Sequence, residues 1–141
     1  LEGPFGTFGL PPEFDEVALL FVAGGTGIAP LRSMLMERLW RPRVPAVSMV
    51  YSARSPEEFA YLPELDAMAK AGRIDLSLTV SRLDGVWDGR RGRIDEPLLK
   101  GALPAIEACC LICGPPQLVS DATGLLSKLG VKQERILTER Y

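Results

Sequence analysis

The sequence predicts an α/β fold in which a five-stranded parallel sheet carries helices on both faces. Apolar runs of strand length alternate along the chain with segments whose apolar residues recur at helical spacing. This alternation is typical of parallel sheets built from βαβ units. Most of the strand-like runs are apolar throughout, as expected where helices cover both faces of the sheet. At 141 residues the chain is long enough for one such domain.

The first strand and the first helix flank a glycine-rich turn. Val17 to Ala23 is a continuous apolar run, and Gly24 to Gly27 follow it directly. Pro30 suits the first turn of a helix, which Pro42 and Pro45 end. Apolar residues recur at helical spacing between these prolines and the turn: Ile28, Leu31, Leu35 and Leu39.

A buried strand, a helix and a half-exposed strand come next. Val47 to Tyr51 predicts the second strand, and Ser52 to Glu58 predicts a loop with a short turn. A helix is expected from near Pro63 to Gly72, a residue type that commonly ends helices. Ile74 to Val80 strictly alternates apolar with polar residues, so this third strand is expected at an edge of the sheet.

The second half of the chain predicts two more strands. A loop rich in Gly and Arg, from Ser81 to Arg93, precedes a short helix near Asp95 to Lys100. Cys109 to Cys113 is apolar throughout and is expected to be the fourth strand. An amphipathic helix then ends at Gly130, and Arg135 to Thr138 is the short last strand.

Sequential βαβ units that run outward from the first strand give the strand order 3-2-1-4-5. The fold is therefore Rossmann-like, and its strand order reverses between strands one and four. Ligands of such sheets bind there, at the carboxyl ends of the strands. The turns Gly24 to Gly27 and Gly114 to Pro116 leave those two strands, and a helix N-terminus after glycines can hold a pyrophosphate. Glycines also mark ordinary tight turns, and the hydroxyl of Thr26 can cap its own helix.

The composition excludes several classes of function. The net charge of −2 argues against a nucleic-acid surface, and no apolar run reaches the ~18–20 residues of a membrane span. The chain has no histidine, which removes Ser-His-Asp catalysis and His-ligated metals. Its three cysteines lie together in Cys109 to Cys113, so we expect no disulfide framework, no metal site and a cytoplasmic location. Cys109 and Cys110 are expected to be small core residues.

Several motifs follow one another along the chain. They are Gly3 to Phe8 (GPFGTF), Gly24 to Pro30 (GGTGIAP), Trp87-x-Gly89-x-x-Gly92, Cys113 to Pro116 (CGPP) and the terminal Glu139 to Tyr141. Together they resemble the pyridine-nucleotide-binding domain of the ferredoxin–NADP reductase family, and most of all its oxygenase reductase components. The resemblance implies that residues 1–14 are the trailing segment and linker of a missing flavin-binding barrel. Residues 15–141 would be the NAD(P)-binding domain.

The resemblance also implies an enzymatic function. NAD(P)H would deliver hydride to FAD, which is held mainly by a flavin-binding domain in cis or in a separate subunit. FAD would then pass single electrons to an iron–sulfur, haem or oxygenase partner, with the cofactors carrying the chemistry. The alternative is a non-catalytic module that binds a nucleotide or docks a partner in a larger complex.

The resemblance further implies which residues meet the cofactors. Cofactor-binding positions would be Gly24, Gly25, Thr26, Gly27, Gly114 and Pro115. Cys113 and Glu139 would act at the nicotinamide, and Tyr141 would cover the flavin ring. The alternatives are a buried core thiol at Cys113 and a frayed C-terminal tail.

The choice between NADH and NADPH stays open at this point. A 2′-phosphate needs cations, and Ser81 with Arg82 is similar to the pair that holds this phosphate in NADP-dependent members of the family. Arg54, which follows the second strand, is another candidate. An arginine among other loop arginines is also typical of a solvated face, and the similarity to oxygenase reductases favours NADH.

Overall fold

A computed structural model of the chain describes residues 10–41 and 45–140. Gly3 to Phe8 and Tyr141, which carry part of the resemblance, lie outside these residues. Strands and helices alternate along the described chain: β1 (Leu19–Gly24), α1 (Ile28–Leu39), β2 (Val47–Ala53), α2 (Leu62–Lys70), β3 (Asp75–Val80), β4 (Arg90–Arg91), α3 (Glu96–Ala102), β5 (Cys109–Gly114), α4 (Pro116–Lys128) and β6 (Ile136–Arg140). No helix in these residues is long and apolar enough to cross a membrane.

The strands of the described chain form one six-stranded parallel sheet in the order β4-β3-β2-β1-β5-β6. The prediction of five strands is therefore wrong by one. The five strands that were predicted keep their expected relative order, and the α/β Rossmann-like class is confirmed. The additional strand, β4, has only two residues, and two residues carry no periodicity that a sequence pattern could reveal.

Helices cover both faces of the sheet because β1 and β5 direct alternate side chains to opposite sides. Leu19 and Phe21 of β1 pack in one core with α1 and α2. Leu20 and Val22 pack in a second core with α3 and α4. Both strands are fully buried along their lengths, which explains their continuous apolar sequence.

The third strand differs from its predicted position at the edge of the sheet. Its first half is half-exposed, but β4 pairs with Thr79 and Val80 and takes the edge there. Thr79 is fully buried, although its place in the alternation predicted exposure. Its hydroxyl donates to the carbonyl oxygen of Gly92 at 2.7 Å and accepts from Arg90 Nη1 at 2.6 Å. These bonds compensate for the burial of a polar group.

The cysteines are core residues, as predicted for Cys109 and Cys110. Both side chains are fully buried, Cys109 on the α1 side of the sheet and Cys110 on the α4 side. Burial raises the pKa of each thiol to about 12.

A buried arginine holds the segment that leads into β1. The side chain of Arg38, in α1, is 1% exposed. Its Nη1 and Nη2 donate to the carbonyl oxygens of Val17 and Phe14, both at 2.8 Å. Burial lowers the pKa of this guanidinium. Arg41, just beyond the end of α1, adds an ion pair to Asp15 at 3.3 Å, so α1 and the residues that follow it fix where the chain enters the sheet.

Candidate functional site

A cleft of about 860 Å³ opens at the carboxyl ends of the strands. Its walls come from the residues that follow β1, β2, β3 and β5, together with the first turns of α1 and α4. β1 has β2 on one side and β5 on the other, so strand order reverses beside this cleft. The ligand position expected from the strand order therefore coincides with a real concavity.

The turn after β1 leaves the N-terminus of a helix open to the cleft. Gly25 to Gly27 form a single 3-10 turn, and α1 begins at Ile28. Gly25 has φ = +56°, which other residues rarely adopt, and a Cβ there would meet nothing within 4 Å. Among the residues that the structure describes, no side chain caps the N-terminus of α1, and the first turn of this helix holds no acidic residue. Thr26 thus does not cap the helix, and the free N–H groups favour an anion.

The two glycine-rich turns touch each other across the floor of the cleft. A Cβ on Gly27 would overlap the carbonyl group of Cys113 and would lie 3.0 Å from the nitrogen of Gly114. A Cβ on Gly114 would lie 3.2 Å from the carbonyl oxygen of Gly24. Only glycines allow β1, β5 and the start of α1 to approach this closely.

The residues predicted to bind the cofactor divide into two groups. Those that line the cleft are Gly24, Gly25, Thr26, Arg54, Ser81 and Pro115. Gly27 and Gly114 form the contact beneath it. Arg82 is exposed and does not line the cleft, although its backbone N–H donates to the carbonyl oxygen of Arg54 at 3.1 Å.

The predicted catalytic residues lie at the ends of β5 and β6. Cys113 and Glu139 are register partners in the parallel pair of these strands, and both side chains are buried. Neither residue lines the cleft. Tyr141 lies outside the described residues. Elsewhere, the described chain holds no cluster of three His, Cys, Asp or Glu residues that could bind a metal ion.

Sequence reasoning missed several charged and polar side chains that line the cleft. They are Glu58, Tyr61, Arg93, Gln117 and Asp121. Glu58 ends the short 3-10 turn Pro56–Glu58, and its carboxylate binds Arg54. Asp121 accepts a hydrogen bond of 2.8 Å from the amide of Gln117. Turn and helix residues of this kind give no local signal, because they reach the cleft only when the loops assemble.

Tyr61 lies in the wall of the cleft and has a strained backbone conformation. Its φ of +60° is left-handed, which is costly for a residue with a large side chain. The guanidinium of Arg32 lies 4.7 Å from the centre of its ring. Arg32 in turn binds both carboxylate oxygens of Glu64, at 2.6 and 2.8 Å. This hydrogen bonding lowers the pKa of the Glu64 carboxyl.

Arginine side chains hold the loop around Trp87 in shape by hydrogen bonds to its own backbone. The guanidinium of Arg91 donates to four backbone carbonyls, those of Arg82, Asp84, Gly85 and Trp87. Arg90 donates to Thr79 and pairs with Asp95 at 2.8 Å. The indole of Trp87 covers Gly89, where a Cβ would lie within 2.6 Å of the ring. This packing explains the Trp-x-Gly spacing, and the loop carries Arg93 and Ile94 to the wall of the cleft.

The fold and the cleft define an α/β nucleotide-binding domain. The chain belongs to the oxidoreductase NAD-binding domain family, whose model matches residues 21–124. The resemblance to the ferredoxin–NADP reductase family is thereby confirmed.

Relatives include several electron-transfer proteins. Ferredoxin–NADP reductase B of Sorangium cellulosum is 35% identical over 99% of this chain and 60% of its own length. NADH-cytochrome b5 reductase 1 of Eremothecium gossypii is 32% identical over 99% of this chain and 51% of its length. A xylene/toluene monooxygenase electron transfer component of Pseudomonas putida is 31% identical over 100% of this chain and 41% of its length. The chain thus spans between about two fifths and three fifths of these relatives.

A solved structure supports the same assignment. The cytochrome b5 reductase domain of Ulva prolifera nitrate reductase superposes with a TM-score of 0.79 at 26% identity, over 86% of this chain and 48% of that one. An Amycolatopsis cytochrome P450 reductase, at 23% identity, shares the fold with a TM-score of 0.81, over 98% of this chain and 42% of that one.

Proposed function

We propose that this chain is the NAD(P)H-binding domain of a flavin-dependent oxidoreductase. The observation that carries the proposal is the cleft at the reversal of strand order, where the uncapped N-terminus of α1 meets two touching glycine-rich turns. The bound cofactors supply the chemistry, which is hydride transfer from the reduced nicotinamide to the flavin. This chain's residues bind and orient the nucleotide.

The phosphates of the nucleotide are assigned to the turn after β1. The N–H groups of Gly25, Thr26 and Gly27 hold the pyrophosphate, where the helix dipole favours negative charge. The lack of an acid in the first turn of α1 supports this assignment. Ser81 and Arg54, at the ends of the neighbouring strands, border the adenosine.

The nicotinamide is assigned to the side of the cleft near β5 and β6. Cys113 and Glu139 stand side by side there, at the carboxyl ends of these strands. Both side chains are buried and do not line the cleft, so the role we propose for them is to support the surface on which the nicotinamide lies from beneath. Gly24, Gly114 and Pro115 keep the two turns close enough for both ends of the dinucleotide to bind in one cleft. Tyr141 completes this set as the residue that covers the flavin.

The remaining parts of the enzyme lie beyond this chain. Because the relatives are longer, we assign FAD mainly to a flavin-binding domain, either in cis or in a separate subunit. The electron acceptor is an iron–sulfur, haem or oxygenase protein, in line with relatives named for ferredoxin and for a monooxygenase. The proposed location is the cytoplasm.

Rapid mixing of the natural protein, purified with its flavin, against NADH or NADPH tests this function. At least one of the two nucleotides should bleach the flavin absorbance within a normal turnover time, about 0.1 s. Gly25→Ala should weaken nucleotide binding, and Gly72→Ala is its matched control, since Gly72 also has a positive φ (+75°) and free space but lies at the end of α2. If neither nucleotide reduces the flavin, the catalytic proposal fails and the non-catalytic binding module takes its place.

A further inference from the structure

In the part of the chain that the structure describes, Tyr61 is the only residue other than glycine with a left-handed backbone. Its φ is +60° and its ψ is 18°. Hydrogen bonds fix the chain on both sides of it. The N–H of Ala60 donates to the hydroxyl of Tyr51 at 2.8 Å, and the N–H of Leu65 donates to the carbonyl oxygen of Tyr61 at 3.0 Å. The chain must turn sharply here, and glycine or asparagine would make that turn with less strain.

The side chain of Tyr61 contributes little to stability in return for this strain. The guanidinium of Arg32 lies 4.7 Å from the centre of its ring, and the carboxylate of Glu64 holds that guanidinium through two hydrogen bonds. The side chains of Arg32 and Glu64 are each 32% exposed. A cation–π contact at such an exposed site contributes no more than the left-handed backbone of a tyrosine costs. Strain that folding does not require is typical of positions that contact a ligand.

The ring of Tyr61 stands beside the first turn of α1. Ala29 and Arg32 are three residues apart in this helix, so they share one of its faces. Tyr61 is 43% exposed, and it lines the cleft together with Ala29. The adenosine is assigned to the ends of β2 and β3, and the nicotinamide to the side near β5 and β6. The ring therefore borders the stretch of the cleft between these two positions.

We propose that the ring of Tyr61 packs against the diphosphate and the second ribose of the nucleotide, the part that joins adenosine to nicotinamide. The inference rests on the proposed function. The N–H groups of the turn after β1 bind the phosphates from one side, and the ring closes the other side. Contact with the ring removes the carbon face of the ribose from water, which favours binding. Arg32 and Glu64 keep the ring in place.

Titration calorimetry of the natural protein, purified with its flavin, tests this contact with ligands that cannot react. ADP-ribose ends at the second ribose and AMP ends at the first phosphate; both carry a 2′-phosphate if NADPH reduces the flavin faster than NADH. Tyr61→Asn should weaken binding of ADP-ribose about tenfold and that of AMP less than about threefold. The midpoint of unfolding in urea should not fall, because asparagine tolerates the left-handed backbone.

Two further variants serve as controls. Tyr61→Phe keeps the ring and should bind ADP-ribose as the unmodified protein does. Trp40→Asn is the matched control, because Trp40 is an aromatic residue that is 83% exposed at the other end of α1 and does not line the cleft. It should leave the affinity for ADP-ribose unchanged.

The outcomes that overturn the proposal differ from those that overturn the proposed function. Unchanged binding of ADP-ribose to Tyr61→Asn, or an equal loss for AMP, would refute the contact. A loss in Tyr61→Phe would refute the role of the ring in favour of the hydroxyl, and a lower unfolding midpoint in Tyr61→Asn would assign the residue to folding. All of these results leave nucleotide binding intact. Failure of the unmodified protein to bind ADP-ribose would refute the proposed function together with the contact.

Discussion

Substitution of Gly27 by Ala tests the close contact between the two glycine-rich turns. A Cβ at this position overlaps the carbonyl carbon and oxygen of Cys113 and approaches the nitrogen of Gly114 to 3.0 Å. All of these atoms belong to the backbone, so no change of rotamer can relieve the overlap. Either the first turn of α1 or the end of β5 must move.

The cost of this movement can be worked out from the structure. Overpacking costs about 1–3 kcal/mol, and backbone on both sides places Gly27→Ala at the upper end, about 3 kcal/mol. Reduced freedom of the unfolded chain returns about 0.4–1 kcal/mol, which leaves a net loss of about 2 kcal/mol. With a urea slope of about 2 kcal/mol/M, the unfolding midpoint should fall by about 1 M. Nucleotide affinity should fall with it, because the displaced turn carries the N–H groups.

Gly124→Ala is the control for this experiment. Gly124 lies within α4, where a Cβ would meet nothing within 4 Å. Alanine should stabilise that helix by up to about 1 kcal/mol. If Gly27→Ala proves as stable as the unmodified chain, the close approach of the two turns is not what requires glycine at this position.

Three further predictions concern buried and bonded groups. Arg38→Met should lower the free energy of unfolding by about 2 kcal/mol in urea titration, because two carbonyls of the segment before β1 lose their donor. The thiols of Cys109 and Cys110 have pKa values of about 12, above those in the unfolded chain, so their contribution to stability is complete below about pH 8.5 and is lost as the pH rises towards 12. Cys110→Ala should reduce the alkaline slope of stability against pH, and an unchanged slope would contradict this origin. Arg91→Lys should make residues 82–87 sensitive to limited proteolysis with little change in α-helical circular dichroism, since lysine cannot bridge four carbonyls.

The part of the fold that the sequence predicts is the part that local patterning controls. β1 and β5 are apolar throughout because a hydrophobic core covers each face of the sheet. Their continuous apolar sequence therefore predicts that both strands are buried. The glycines after β1 also predict local structure correctly. The left-handed φ of Gly25 and the backbone contact at Gly27 each exclude other residue types. The order of the predicted strands then follows from short right-handed connections.

The parts that the sequence does not predict depend on contacts between distant segments. Thr79 has the sequence pattern of an exposed residue, but β4 pairs with this end of β3 and buries it. Arg90 and Gly92 then bond to its hydroxyl. Glu58 reaches the cleft wall only because the loop after β2 folds back between the carboxyl ends of the strands and the start of α2. Tyr61 has a left-handed backbone conformation that tyrosine disfavours, so its residue type alone would not predict the turn that places it in the cleft wall.

The arginines after β3 show why residue counts mislead about phosphate binding. Four arginines lie between residues 82 and 93, which in the sequence is a basic cluster suited to an anion. In the fold, Arg91 and Arg90 use their donors to hold the loop itself, and Arg82 does not line the cleft. A guanidinium whose donors already meet carbonyl oxygens gains little by turning to a phosphate, because each lost bond leaves a backbone acceptor unpaired. The loop therefore uses two of its four arginines to hold its own shape, and that shape carries Arg93 to the cleft.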